Sequence, residues 1–240
     1  MPTKRVCVCL GILALQAGLV LADEVTFTIE NLGVQPLTPV FAATSDGSFD
    51  MFDAGSAASA ELEAIAEGGV TGPMTALAGA SSGVLDFGVG AFIAPGDSTS
   101  VTLTTDPSHP YLSFAAMLPI TNDAFIGLAF GDGALDLFRD GALTSYDFTL
   151  SYLEVWDAGT EINTELAGDV PALGGSGSPV EGGVITRPHP GILGVGDIGP
   201  GFDFFGLDIA HITVVPEPAT IALCLLGVAT LITTRRRRHF

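Results

Sequence analysis

Three carboxylates stand where loops could bring them onto one cation. Asp157 and Glu161 follow an apolar stretch and flank Gly159, at which the chain can turn so that both side chains converge. Asp123 opens another apolar stretch. Calcium prefers about six to eight hard oxygen ligands, which include carboxylates on loops. The three residues are therefore candidate calcium ligands, with solvated turn carboxylates as the alternative, since Asp is common in turns.

Two glycine-rich motifs known from enzymes lie in the wrong sequence context here. Residues 194–199 (GVGDIG) match the G-x-G-x-x-G dinucleotide-binding pattern, which requires a strand before it and a helix after it. Prolines on both sides disfavour that arrangement. Residues 79–83 (GASSG) match the G-x-S-x-G pattern of hydrolases but lie in a run of small residues without strand–turn–helix context. Both segments are predicted to be turns.

Two other functions remain open from the residues alone. A polysaccharide hydrolase would need a pair of carboxylates as acid and base or nucleophile, for which Asp203 and Asp208 are the candidates. A carbohydrate-binding module without chemistry would need aromatic faces that stack on sugar rings. The large amphipathic rings, which suit core packing equally well, are those of Tyr111, Tyr146, Tyr152 and Trp156.

The elements that must position these residues are mostly strands. Residues 25–30 and 146–152 alternate between apolar and polar side chains with a period of two, which is typical of half-buried strands. Shorter apolar runs bounded by Gly, Pro, Asp or Asn occur at residues 111–118, 124–130 and 207–215.

One helix is predicted over residues 56–67, with Gly68 and Gly69 as its stop. The combination favours an all-β fold, an antiparallel β-sandwich with one embedded short helix. Residues 171–206 are rich in Gly and Pro and are expected to form a long irregular connection.

Charge and cysteine usage exclude several classes of function. Residues 23–215 contain two basic residues, Arg139 and Arg187, and 26 acidic residues, a formal net charge of −24. Such a body repels phosphate backbones, so nucleic acid is not an expected partner. The three cysteines lie outside this range, at Cys7, Cys9 and Cys224, so the body has neither a disulfide framework nor a thiol nucleophile.

Both ends carry the features of targeting segments. Two basic residues, an apolar run and short side chains before Asp23 predict a signal peptide over residues 1–22, and hence export. Residues 219–234 form a second apolar stretch, predicted to be a single transmembrane helix. Under the positive-inside rule the arginines that follow it stay cytoplasmic and the acidic body lies outside. These arginines are Arg235, Arg236, Arg237 and Arg238.

Pro216, Glu217 and Pro218 stand immediately before that apolar stretch. A Pro-Glu-Pro motif, a hydrophobic helix and a basic tail, in this order over residues 216–240, resemble the PEP-CTERM sorting signal of Gram-negative bacteria. The resemblance implies recognition by an exosortase-type membrane enzyme and delivery to the cell surface or the exopolysaccharide matrix. A permanent single-span anchor is the alternative and has the same topology.

The body, residues 23–215, resembles the spondin domain. Residues 112–119 (LSFAAMLP) and 123–128 (DAFIGL) are similar to its strand, proline-containing turn and Asp-aromatic pattern. Residues 156–161 (WDAGTE) are similar to its aromatic-Asp-Ala-Gly-Thr-acid signature. The resemblance extends over residues 25–214.

The spondin resemblance implies a β-sandwich that binds one calcium ion through Asp123, Asp157 and Glu161, the last in a position where the family usually has Asp. It also implies a non-enzymatic adhesive or structural role, with exopolysaccharide or surface proteins as partners. Integrin-type adhesion is not implied, because Thr104 stands at the family's adhesive acidic position.

Overall fold

The computed structural model describes residues 22–177 and 179–217. Several segments named above lie outside the described residues. They are residues 1–21 of the predicted signal peptide, Pro218 of the Pro-Glu-Pro motif, the apolar stretch 219–234 and the four terminal arginines. Within the described part, no helix has the length and apolar character needed to cross a membrane.

The described residues form twelve strands, two α-helices and three short 3₁₀ turns. The helices are α1 (Ala60–Gly68) and α2 (Gly72–Ala80), and the 3₁₀ turns are Tyr152–Glu154, Pro171–Leu173 and Pro200–Phe202. The strands are β1 (Asp23–Asn31), β2 (Phe41–Ser45), β3 (Val84–Val89), β4 (Ser98–Thr105), β5 (Tyr111–Met117), β6 (Ala124–Leu128), β7 (Leu135–Asp136), β8 (Phe138–Arg139), β9 (Ala142–Leu143), β10 (Tyr146–Ser151), β11 (Val155–Asp157) and β12 (Asp208–Pro216).

Two antiparallel sheets dominate the fold. The first has the strand order β10-β12-β1-β4, and the second the order β11-β6-β5-β2-β3, with β7 also paired to β5. Strands β8 and β9 form a separate hairpin. The mainly-β, antiparallel and sandwich-like character predicted from the sequence is thus confirmed.

The main core lies between the two sheets. Val25, Phe27 and Ile29 alternate with more exposed residues along β1, as the period-two pattern predicts, and all three are fully buried. They belong to the same apolar cluster as Phe114 of β5, whose ring centroid lies 5.0 Å from that of Phe27. The opposite face of the second sheet packs on the helices through a second cluster that includes Phe125.

The prediction of one embedded helix is wrong, because the structure has two. The predicted helix corresponds to α1, which begins after the N-cap Ser59 and ends at Gly69 in the left-handed region, with φ 63°. The second, α2, contains two glycines and a proline, and it lacks a strong helical pattern. Its proline lies in the first turn, where a missing N–H costs nothing, and burial of Met74 and Ala78 favours the helix through packing.

Both described chain ends leave from the same end of the sandwich. Val25 pairs with Pro216, and the Glu217 amide donates to the Glu24 carbonyl oxygen at 2.8 Å. At the far end of β1, the Gln35 side chain accepts from the Ile120 amide at 3.0 Å, so the β5–β6 turn lies there. A strand of this length separates the two ends by about 25 Å.

Candidate functional site

Strand pairing brings Asp123 and Asp157 together. Asp123 precedes β6 and Asp157 ends β11, and the antiparallel register pairs Asp157 with Ala124. The Ala158 amide also donates to the Asp123 carbonyl oxygen at 3.3 Å. Two residues that are 34 positions apart in the sequence therefore become neighbours at the end of the sandwich distant from the chain ends.

The Asp123 carboxylate is fully buried, and its two oxygens differ sharply. Oδ2 accepts hydrogen bonds from the Thr160 amide at 2.8 Å, the Glu161 amide at 3.1 Å and the Thr160 hydroxyl at 3.2 Å. Oδ1 has no hydrogen-bond partner among the described residues. A buried carboxylate oxygen in this state carries a desolvation penalty that a bound cation would relieve.

The turn after β11 shapes this site. The Gly159 amide donates to Asp157 Oδ1 at 2.9 Å, and Gly159 has φ 66°, in the left-handed region. A Cβ at this position would lie 2.7 Å from the backbone nitrogen and oxygen of Val184. Only glycine therefore fits both the conformation and the close approach of the neighbouring segment.

The electrostatic environment of the pair favours a positive ligand. Burial, reinforced by the charge of Asp157, raises the pKa of Asp123 to about 6, although the hydrogen bonds from Thr160 and Glu161 act in the opposite direction. Two carboxylates in one buried site repel each other, and a cation between them would remove that repulsion.

His189 is the third ligand-type residue at this site. One nitrogen of its ring and one carboxylate oxygen each of Asp123 and Asp157 lie within 4.8 Å of one another. The ring is 2% exposed, and burial lowers its pKa against the opposing effects of Asp157 and Glu165, so it is neutral at pH 7.

The hydrogen bonds of His189 identify it as a positioning residue. Its Nδ1 accepts from the Gly191 amide at 3.1 Å, so Nε2 carries the proton and donates to Asn163 Oδ1 at 3.0 Å. Asn163 Nδ2 in turn donates to Asp157 Oδ2 at 2.8 Å. Both ring nitrogens are thus engaged in hydrogen bonds, whereas Asp123 Oδ1 is not.

Glu161, the third predicted ligand, is buried and lies beside Asp123 through its backbone. Its carboxylate is not part of the group of atoms within 4.8 Å. A Cβ on Gly177 would lie 2.8 Å from Glu161 Oε1, so the side chain extends toward the segment that includes Gly177. The structure therefore joins Asp123 and Asp157 directly and places Glu161 at their edge.

Backbone amides at and next to the start of the segment 194–199 bind a carboxylate of the protein, that of Glu165. The buried carboxylate of Glu165 accepts from the Leu193 amide at 2.5 Å and from the Val195 amide at 3.0 Å. A 3₁₀ turn, Pro200–Phe202, follows this segment in place of the helix that a dinucleotide site needs. Among its glycines, Gly196 lies against the Glu165 backbone, so the segment makes an internal contact.

Among the residues that the sequence suggested for a hydrolase or a sugar-stacking site, two have structural roles. Asp203 Oδ1 accepts from the Ile192 amide at 3.1 Å and the Phe205 amide at 3.0 Å, which fixes a loop. Asp208 is exposed at the start of β12. Trp156 is 1% exposed and donates from Nε1 to the Gly127 carbonyl oxygen at 3.0 Å, so its ring belongs to the core.

Sequence reasoning missed Asn163, Glu165 and the positioning role of His189. All three belong to the region after Asp157, where the chain has little regular structure and no periodic pattern. His189 was visible only as part of a His-Pro pair, which indicates a loop and not its contacts.

Comparison with protein-family models finds no match for this chain, and comparison with curated proteins finds no significant relative. The fold and the site geometry therefore carry the functional argument.

Proposed function

We propose that this protein is an exported, non-enzymatic cell-surface or matrix protein with a spondin-like body that binds calcium at Asp123 and Asp157. The observation that carries the proposal is the fully buried Asp123 Oδ1, which has no hydrogen-bond partner among the described residues. One carboxylate oxygen of Asp123 also lies within 4.8 Å of one oxygen of Asp157. Glu161 is the proposed third ligand, in keeping with the sequence resemblance.

The donor chemistry favours a hard cation. The proposed ligand atoms are carboxylate oxygens, which suit calcium, whereas zinc sites usually contain nitrogen or sulfur ligands. His189 would be a nitrogen ligand, but its Nε2 proton points to Asn163 and its Nδ1 accepts from Gly191. It holds Asn163, and through it Asp157, in place for the ion.

The position of the site supports a role at the cell surface. The proposed sorting signal, residues 216–240, begins at the end of the sandwich from which both described chain ends leave. A body attached there would present the calcium site about 25 Å further out, on the side away from the membrane. A non-enzymatic role is favoured because Asp203, one of the two candidate catalytic carboxylates, is engaged by backbone amides.

Thermal unfolding of the full chain in a mild detergent, with excess calcium and with chelator, tests this proposal. Calcium at 100 times its dissociation constant should stabilise the fold by about 2.7 kcal/mol, a rise in Tm of roughly 5–11 °C for a body of this size. Asp157→Asn should abolish the calcium-dependent rise. The matched control Asp97→Asn, which removes the same charge from an exposed loop, should retain it.

A Tm that is the same with calcium and with chelator would identify the carboxylates as ordinary turn residues. Magnesium is the specificity control. It demands a regular octahedral shell and keeps its waters, so its effect should be much smaller than that of calcium.

A further inference from the structure

A cavity that is separate from the Asp123 and Asp157 site lies beside β10, the outer strand of the first sheet. It has a volume of about 520 Å³ and is bounded by β10, β6 and the hairpin region that follows β7. This volume is within the range of small-ligand sites. Its apolar lining comes from Leu128, Leu135 and Phe148. Its polar lining comes from Arg139, Thr144, Ser145, Tyr146 and Asp147.

Arg139 is fixed in position by a tight hairpin. Strands β8 and β9 pair Phe138 with Leu143 and Arg139 with Ala142, which leaves a two-residue turn at Asp140 and Gly141. Both turn residues have positive φ, at 52° and 77°, as an Asp-Gly hairpin turn requires. Phe138 and Leu143 pack against the main core, so the hairpin that carries Arg139 is anchored.

Arg139 is a cation without an acidic partner at this cavity. Among the described residues, its guanidinium has no carboxylate within 4.0 Å, although the surrounding body is strongly acidic. One carboxylate, that of Asp147, lines the cavity, but it pairs with His211 and not with Arg139. Asp147 lies 2.9 Å from His211 Nε2, and Asp136 Oδ1 accepts from the Phe138 amide at 3.1 Å.

The rest of the polar lining suits a hydroxyl-rich ligand. Thr144 and Ser145 contribute two hydroxyl groups, each able to donate and to accept. Tyr146 contributes a ring whose orientation is fixed, because its hydroxyl donates to the Asp136 carbonyl oxygen at 2.6 Å. An aromatic ring beside hydroxyl groups is suited to the apolar face and the polar edge of a sugar.

We propose that this cavity binds a sugar that carries one negatively charged group. Arg139 pairs with the charged group in the two-point geometry that guanidinium offers to a carboxylate or a phosphate, while Thr144 and Ser145 bond the sugar hydroxyls. The formal charge of −24 repels a densely charged polymer, so the ligand is a single acidic sugar unit or a sparsely charged chain. This site is independent of the calcium site.

Calorimetric titration of the full chain in a polyoxyethylene detergent tests the proposal. The probes are glucuronate, glucose 6-phosphate, glucose and inorganic phosphate, each with calcium and with chelator. At least one acidic sugar should bind at least ten-fold more tightly than both glucose and inorganic phosphate. Comparison of glucuronate with glucose 6-phosphate identifies the charged group.

Two arginine variants separate a built site from general electrostatics. Arg139→Gln should weaken binding of the acidic sugar at least ten-fold, and Arg139→Lys should restore part of it. Arg187→Gln removes the same charge from a side chain that stacks 4.4 Å from the Trp156 ring, and it should bind as the wild type does. The calcium-dependent Tm of each variant checks that the fold is retained.

Three results would overturn the proposal. They are the absence of heat with all four probes, binding of glucose or inorganic phosphate as tight as that of the better-bound acidic sugar, and unchanged binding of that sugar in Arg139→Gln. Loss of the calcium effect on Tm with retained sugar binding would contradict only the function proposed for Asp123 and Asp157.

Discussion

Asp123 combines a fully hydrogen-bonded carboxylate oxygen with one that has no partner among the described residues. Oδ2 holds the turn after β11 through these hydrogen bonds. Oδ1 is buried without a hydrogen bond that would stabilise its negative charge. Asp157 lies beside it with both of its oxygens hydrogen-bonded, to Gly159 and Asn163. At the residue scale, the site is organised by backbone amides and one amide side chain, and the repulsion between its two carboxylates is one that a bound cation would remove.

The raised pKa of Asp123 predicts a pH dependence of stability in calcium-free buffer. The carboxyl titrates near 3.8 when unfolded and near 6 in the fold, so between these values the folded state binds more protons. The free energy of unfolding therefore falls as the pH rises from about 4 to about 6, by about 3 kcal/mol for this group. Urea unfolding with chelator at a series of pH values measures it as the difference between the wild type and Asp123→Asn. The comparison removes the contributions of other groups, such as Asp50, whose pKa burial raises to about 6, and His189, whose pKa burial lowers.

Asp123→Asn is the control for that measurement. Its amide oxygen can still accept from Thr160 and Glu161, but it does not ionise. The difference in unfolding free energy between variant and wild type should grow in favour of the variant up to about pH 6. A difference that is constant with pH would contradict the assignment to Asp123.

At the element scale, the irregular chain between β11 and β12 is held by specific backbone contacts. The Asp197 amide donates to the Glu165 carbonyl oxygen at 2.7 Å, and the Glu165 carboxylate binds the Leu193 and Val195 amides. Gly196 lies where this segment crosses the backbone of Glu165. A connection that is predicted as an irregular loop from the sequence is therefore held in a defined path beside Asp157, because its amides find internal acceptors.

Gly196→Ala should destabilise the protein, whereas Gly199→Ala should not. A Cβ on Gly196 would lie 2.3 Å from the Glu165 carbonyl oxygen, a backbone atom that cannot rotate away. We expect a loss of more than about 2 kcal/mol, in line with overpacked interiors. Gly199 has no atom within 4 Å of such a Cβ and has φ −69°, so its variant should stay within about 0.5 kcal/mol of the wild type. Equal urea midpoints for the two variants would contradict the close contact between Gly196 and the Glu165 backbone.

At the scale of the whole molecule, the many negative side chains of the described part are not neutralised by nearby arginine or lysine side chains. The ion pairs found among the described residues all involve histidine, at His109, His189 and His211. The two arginines of this part do not pair with any acid, so repulsion among the carboxylates is opposed mainly by solvent and counterions. The pair of Asp123 and Asp157 and the described chain ends lie at opposite ends of this acidic body.

This charge distribution predicts that monovalent salt stabilises the fold. Raising the ionic strength from 0.01 to 0.15 M shortens the Debye length from about 30 to about 8 Å and screens the repulsion. With chelator present, we expect a gain on the order of 1 kcal/mol, a rise in Tm of about 2–4 °C. Sodium chloride and choline chloride should act equally, since screening does not depend on the identity of the cation. A fall in Tm with salt would indicate that attractive pairs dominate.

The sequence predicts the strands with clear boundaries. Residues 25–30, 111–118, 124–130, 146–152 and 207–215 all coincide with observed strands to within a few residues. Each carries either an alternating pattern or an apolar run between turn residues, and burial of one or both faces is the physical cause of that pattern. Strands β2, β3 and β4, the two-residue strands β7, β8 and β9, and helix α2 escape prediction. Small residues in β2 and glycine in β3 and α2 weaken the patterns, and β4 has only two apolar residues among Ser and Thr, so tertiary packing decides their conformation.

The candidate site likewise has features that the sequence predicts and features that depend on the tertiary structure. The residue types and the glycine turn of residues 156–161 are visible in the sequence, because the turn chemistry is local. That Asp123 and Asp157 meet depends on the pairing of β6 with β11, and the contributions of Asn163, Glu165 and His189 depend on contacts made by an irregular segment. The sequence by itself determined the mainly-β class, the acidic character and the candidate ligands. Only the tertiary structure decided which carboxylates converge, since long-range hydrogen bonds leave no periodic signal along the chain.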